Sequence, residues 1–198
     1  MALALRPGLG HSTGMRSGHR LRLSEITLLP TNMESRSPMK DFASLPYRPC
    51  VGVMLVNSDG KVFVGKRIDT KEGDWWQMPQ GGVDDGEDLK AAALRELWEE
   101  TGATEAHVTI LSHTKEELLY DLPEELIGKL WKGKYRGQRQ TWYLARFEGK
   151  DGDIDLEAHK PAEFCDWKWV DPELLPDLIV PFKKRVYRTV LEEFRALI

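Results

Sequence analysis

Gly81-Gly-Val-Asp-Asp-Gly-Glu87-Asp-Leu-Lys-Ala-Ala-Ala-Leu-Arg95-Glu96-Leu97-Trp98-Glu99-Glu100-Thr101-Gly102-Ala103 is the stretch on which the reading of this chain turns. Gln80 to Gly86 is rich in glycine and aspartate and reads as a loop. Ala91, Ala92, Ala93, Leu94 and Leu97 favour a helix from Asp88 or Leu89 to Thr101. Asp85 is the expected cap at its start, and Gly102 falls where a left-handed residue ends a helix. Glu96, Glu99 and Glu100 stand at offsets 0, +3 and +4. At about 100° per residue they share an arc of roughly 100° on one face. Three carboxylates so close repel one another, and they sit near the helix C-terminus, where the dipole disfavours negative charge. A divalent cation would offset both penalties, and carboxylate oxygens are hard donors of the kind Mg²⁺ or Mn²⁺ takes. Arg95, four residues before Glu99, is placed to orient that carboxylate, while Leu97 turns toward the body of the domain. Taken alone, the three glutamates would be a solvated acidic helix face.

Upstream, Val51 to Val56 is an apolar, β-branched run. Asn57-Ser-Asp-Gly60 is turn chemistry, and Lys61 to Val64 restarts extended structure, so the pair predicts a hairpin. Trp75 to Pro79 is a short extended piece ended by proline. Downstream, His107–Leu111, Gln140–Phe147 and Phe164–Val170 read as strands. A last helix is expected over Phe182–Leu197, with Val186, Val190 and Phe194 at four-residue spacing. Strands and helices mix without βαβ regularity, which predicts an α+β or three-layer domain over residues 46–198.

Residues 1–45 lack periodicity, are rich in Gly, Ser, Pro and Arg, and are expected to be a disordered extension. Arg6, Arg16, Arg20 and Arg22 before Met33 give it some likeness to a transit peptide. A flexible tail, or translation starting at Met33 or Met39, is the preferred reading, and with it a cytoplasmic location. The extension carries six Lys/Arg against three Asp/Glu, which leaves −7 of the net −4 on the rest. An acidic body argues against coating DNA, though it leaves room for a local basic site. No run of 18 apolar residues suggests a membrane span. Cys50 and Cys165 lack metal-ribbon spacing and read as two ordinary buried thiols.

The spacing around the glutamates overturns the plain reading of them. Gly81 to Glu87 is six positions, Glu87 to Arg95 is eight, and the Arg-Glu-Leu-Trp-Glu-Glu-Thr-Gly-Ala run follows without a gap. This resembles the Nudix box, G-x5-E-x7-R-E-U-x-E-E-x-G-U with U apolar, at all nine specified positions. The resemblance implies a Nudix fold, a mixed β-sheet sandwiched between helices (α/β/α), with the box as loop-helix-loop. It implies that Glu96, Glu99 and Glu100 ligate Mg²⁺ (or Mn²⁺), with Gly81 and Glu87 helping. It further implies attack of metal-activated water on a phosphoanhydride.

Tyr47-Arg-Pro-Cys-Val-Gly-Val53, Trp76-Gln-Met-Pro-Gln-Gly-Gly82 and Glu163-Phe-Cys-Asp-Trp-Lys-Trp169 are similar to the branch that holds bacterial RNA pyrophosphohydrolases and asymmetric diadenosine tetraphosphate hydrolases. By that resemblance Glu163 is a further metal ligand or a general base; the plain alternative is an exposed carboxylate before a strand. Arg48, Arg67 and Lys183 match phosphate-contacting positions, and Tyr120 and Phe182 match aromatic positions beside nucleobases. Without the resemblance, Tyr120 and Phe182 would be core and Lys183 part of a solvated helix face. The expected substrate is 5′-triphosphorylated RNA, converted to a 5′-monophosphate so that decay can begin. Dinucleoside polyphosphate, favoured by the likeness of Leu119–Pro123 and Trp142–Arg146 to that subgroup, is the alternative. A silent nucleotide-binding module is disfavoured by the intact carboxylates, and no obligate protein partner is expected.

Overall fold

The computed structural model describes residues 42–69 and 73–198. The extension expected over residues 1–45 lies outside the described residues apart from its last four, of which Phe42–Ser44 form a single 3-10 turn.

Eight strands build one mixed sheet. In chain order they are β1 (Tyr47–Val56), β2 (Val62–Arg67), β3 (Trp76–Gln77), β4 (Gln80–Gly82), β5 (Val108–His113), β6 (Leu118–Asp121), β7 (Gly137–Phe147) and β8 (Phe164–Val170). The helices are α1 (Leu89–Thr101), α2 (Leu175–Leu178) and α3 (Lys184–Phe194). β1 runs parallel to β7 over its whole length, from Tyr47 opposite Gly137 to Val56 opposite Arg146. On the far edge of β7 lie β5 and β6, and on the far edge of β2 lies β8, all antiparallel.

Alternation along the central strands sorts side chains into two cores. Val51, Val53 and Leu55 of β1, with Tyr143, Ala145 and Phe147 of β7, face Ala92, Ala93 and Leu97 of α1. Met54 and Val56, with Trp142 and Leu144, face Val186, Tyr187, Val190 and Phe194 of α3. The sheet is therefore a middle layer between α1 and the α2–α3 pair, the three-layer arrangement expected from the sequence. The last helix is shorter than its predicted span, because 3-10 turns at Pro181–Lys183 and Arg195–Leu197 take up both ends.

The feature that shapes the site is a wedge. β1 and β2 pair at Val56 and Val62, then diverge. The segment Trp76–Gly82 enters the gap, β3 pairing with β2 and β4 with β1. Its middle is tied to three different elements. The Met78 N–H donates to the Tyr187 hydroxyl of α3 at 2.9 Å, and the Pro79 carbonyl accepts from Val53 of β1 at 2.8 Å. The Gln80 N–H donates to Glu100 of α1 at 2.9 Å. Gln80–Gly82, expected as loop, is thus strand, because β1 supplies the edge it pairs with.

α1 begins at Leu89, and its cap is Asp88 rather than the expected Asp85: the Asp88 carboxylate accepts from the N–H groups of Lys90 and Ala91, both at 3.0 Å. Gly102 closes the helix at φ 73°, in the left-handed region. Asp88→Ala should lower stability by about 1 kcal/mol, the usual worth of such a cap, and thermal unfolding measures it. An unchanged Tm would show that the end of α1 does not depend on this carboxylate. Of the two cysteines only Cys50 is buried, and burial pushes its thiol up to about 11. Cys165 is exposed: it lies where the register between β2 and β8 shifts, between the pairs Lys66–Asp166 and Arg67–Phe164.

Candidate active site

α1 lies beside the wedge with Leu97 buried against the sheet. That orientation turns Glu96 and Glu100 toward Gln80–Gly82, where both are buried, 8% and 2% exposed. Glu100 is held by one oxygen only. Its Oε2 accepts from Gln80, while Oε1 is fully buried without a hydrogen-bond partner. Burial, then the nearby charge of Glu163, raises the Glu100 carboxyl well above the ordinary carboxylate range. Glu96 is raised too, again mainly by burial, with Arg95 opposing the shift.

Arg95 organises the acidic groups. Its Nε and Nη2 donate to the two oxygens of Glu87, each at 2.8 Å, and Nη2 also donates to the Gly82 carbonyl. Its Nη1 donates to Glu96 at 2.7 Å and lies 3.5 Å from Glu99. The guanidinium was expected to orient Glu99. That ion pair is present, but the hydrogen bonds of the guanidinium go to Glu87 and Glu96, whose carboxylates its flat fork matches edge to edge. Together with the Asp84 N–H, Arg95 holds the Glu87 carboxyl down at about 2.

Gly81 is a close-approach position. A Cβ there would lie 1.8 Å from Oε2 and 2.0 Å from Cδ of Glu96, so the carboxylate occupies the space a side chain would need. Glu163, half exposed just before β8, accepts from Nη1 of Arg67 at 2.8 Å. Arg67 is further fixed by two bonds to Asp69, at 2.8 and 3.0 Å. The charge of Glu163 helps raise the carboxyls of both Glu96 and Glu100.

The remaining candidates gather along the same edge. Arg48 lies against the Gly82 backbone, where a Cβ would meet its Nη2 at 2.2 Å. Lys183 is not on a solvated face: it is only 9% exposed and sits over the Tyr120 ring at 5.5 Å. Burial pushes its ammonium down to about 8. Tyr120 is buried under α3, with its ring centroid 5.7 Å from that of half-buried Phe182. Sequence reasoning missed Asp69 and the Gln80 N–H. The first lies outside every motif read from the sequence, and the second carries no side-chain signal at all.

Among the described residues no three acidic, His or Cys side chains stand ready-gathered around one point. Arg95 supplies the counter-charge and draws Glu87 and Glu96 onto itself. The donor set nevertheless fits a divalent cation. It is all carboxylate, two members are buried at a cost, and Oε1 of Glu100 lacks the partner a buried oxygen requires.

Comparison with known proteins gives the family. The NUDIX domain matches residues 46–190. An RNA pyrophosphohydrolase of Novosphingobium aromaticivorans is 71% identical over 157 residues, covering 79% of this chain and 98% of the relative. One of Sphingopyxis alaskensis is 56% identical, covering 81% and 100%. Among solved structures, the E. coli dihydroneopterin triphosphate pyrophosphohydrolase shares the fold at a TM-score of 0.60 and 21% identity, over 75% of this chain and 97% of its own. The C. elegans Ap4A hydrolase binary complex aligns at 0.56 and 25% identity, over 76% and 99%.

Proposed function

This chain belongs to the NUDIX family, and from that footing we propose that it is an RNA pyrophosphohydrolase, converting a 5′-triphosphate end to a 5′-monophosphate. What carries the reading is the 71% identity to a relative of that name over nearly all of the relative's length. Water attacks a phosphorus of the 5′ chain, the phosphoanhydride bond breaks, and pyrophosphate leaves with the electron pair of the bridging oxygen, or two phosphates leave in successive steps of the same kind. The proposed substrate puts the enzyme in the cytoplasm with the transcripts. Among the described residues no helix is long and apolar enough to cross a membrane.

In this reading Glu96, Glu99 and Glu100 would hold Mg²⁺ or Mn²⁺, with Glu87, Glu163 and Gly81 beside them. When bound, such a cation neutralises charge on phosphate oxygens and acidifies water. The rest falls to the chain. Arg95 keeps Glu87 and Glu96 in place and Glu87 ionised. Arg48, Arg67 and Lys183 supply positive charge for the phosphate chain, and the burial of Lys183 makes its charge less screened than a surface lysine's. Glu163 would take the proton of the attacking water; what supports this is that Arg67 bonds one of its oxygens and leaves the other for water. Tyr120 and Phe182 would flank a nucleobase.

The likeness to an Ap4A hydrolase favours a second reading, dinucleoside polyphosphate hydrolysis. Both substrates present a polyphosphate between or beside nucleosides, so one set of groups serves either. Offering triphosphorylated RNA and diadenosine tetraphosphate at equal concentration decides between them. The RNA should be consumed first, with 5′-monophosphate product; faster loss of the dinucleotide would reverse the assignment.

A further inference from the structure

One part of the surface is left unused by the hydrolytic site. Between Glu125 and Glu148 the chain has no acidic residue, yet it carries Lys129, Lys132, Lys134, Arg136, Arg139 and Arg146. Lys129, Lys132 and Lys134 are exposed, and among the described residues none of the three forms an ion pair. This run stands out on a chain whose net charge is −4. Two aromatic rings sit among the lysines, Trp131 and Tyr135, edge to face at 6.3 Å, both half-buried.

The backbone here is under strain. Trp131 (φ 48°, ψ 36°) and Lys132 (φ 58°, ψ 26°) are successive non-glycine residues in the left-handed region, where an L side chain crowds the following carbonyl. Such residues recur at binding sites, where their surroundings hold them in place; here the turn carries an indole between cations, packed in part against the core on the α3 side. The loop also reaches the hydrolytic site through one side chain. The Arg48 guanidinium carbon lies 5.5 Å from the Trp131 ring centroid, and its Nη2 rests on the Gly82 backbone. Trp131 is therefore one guanidinium removed from Gly82, at the end of β4 in the candidate site.

We propose that the Lys129–Tyr135 loop is a binding platform for the single-stranded RNA that follows the reacting 5′ end, with Trp131 and Tyr135 stacking on bases and Lys129, Lys132 and Lys134 meeting phosphates. Stacking on an aromatic face tolerates any base, and lysines read backbone charge without sequence, so the platform holds RNA length rather than sequence. It rests on the RNA reading and adds to it. A dinucleoside polyphosphate has no such trailing strand, so the platform is idle for that substrate.

The test uses the full chain and three substrates: a 5′-triphosphorylated dinucleotide, a 5′-triphosphorylated single-stranded decamer and diadenosine tetraphosphate. For Trp131→Ala, and separately for Lys129, Lys132 and Lys134 all changed to Ala, kcat/KM on the decamer should fall about tenfold, mostly in KM, the size expected from losing one stacked base or a few phosphate contacts. Turnover of the two short substrates should stay within about twofold. The lysine variant should also show a flatter dependence of KM on salt. A control changing Lys61, Lys90 and Lys150 to Ala, with the same loss of charge elsewhere, should leave the decamer unaffected. If the wild type processes both RNAs and neither variant discriminates between them, the platform is wrong while the RNA assignment stands. Equal losses on all three substrates would likewise reduce the loop to a structural part. A wild type inert on both RNAs removes the assignment and the platform together.

Discussion

Glu100→Gln should lower turnover by about 10²-fold or more, the scale of removing one preorganised electrostatic partner, while leaving the fold intact. The expectation comes from an imbalance. Oε2 of Glu100 has a structural job, accepting from Gln80, but Oε1 is buried and serves no protein group. A buried carboxylate with a vacant oxygen costs stability, and Glu163 adds repulsion to the desolvation. The glutamine keeps the bond to Gln80 through its carbonyl and discards the charge. In chelator its Tm should therefore equal or exceed that of the wild type. The pH dependence follows from the same shift. The folded state holds the Glu100 proton more tightly than the unfolded chain does, so in the apo protein stability falls as pH rises above about 4.3, the unfolded glutamate value, until the raised folded value is passed. Glu100→Gln should remove that part of the slope. Full activity in the variant would sever Glu100 from the chemistry. A large fall in Tm would recast it as a structural residue.

The helix that carries Glu100 was readable from its own residues, because everything that defines it is local. The alanines and Leu97 set its interior, and Gly102 its end. The cap was misplaced by three residues because Asp84, Asp85 and Asp88 all offer the right chemistry, and only the path of the loop selects Asp88. β8 was legible to the residue, being an aromatic strand bounded by loops. The wedge was not. Pro79 and the glycines after it look like loop, and what makes Gln80–Gly82 a strand is an edge of β1 some thirty residues earlier. The parallel pairing of β1 with β7 was hidden for the same reason, since a strand's period tells which face is buried but not which strand lies beside it. Single side chains fared similarly. Lys183 belongs to a basic run that reads as solvated, yet α3 is set so that Lys183 points inward over Tyr120. The box spacing named the acidic residues of the site, whereas the bonds that hold them run between elements and carry no signal along the chain.

Gly81→Ala is the sharper test of the site, because it moves a carboxylate without deleting it. The added methyl would stand 1.8 Å from Oε2 of Glu96, far inside contact distance. Two things could yield, the backbone of β4 or the end of the glutamate. The backbone is pinned: Gly81 pairs with Val51, and the neighbouring Gln80 and Gly82 are bonded to Glu100 and Arg95. The glutamate end is the softer partner, held only by Arg95 at 2.7 Å. Glu96 should therefore swing out, with kcat falling about 10²-fold and Tm shifting by only a few degrees. A cycle separates this from general damage. In a Glu96→Ala background there is no carboxylate left to displace, so adding Gly81→Ala should cost almost nothing more, and the pair should be strongly non-additive. If the double variant instead loses activity as the product of the two singles, the methyl harms the loop in its own right. The fit between Gly81 and Glu96 would then not be what fixes the glycine at this position.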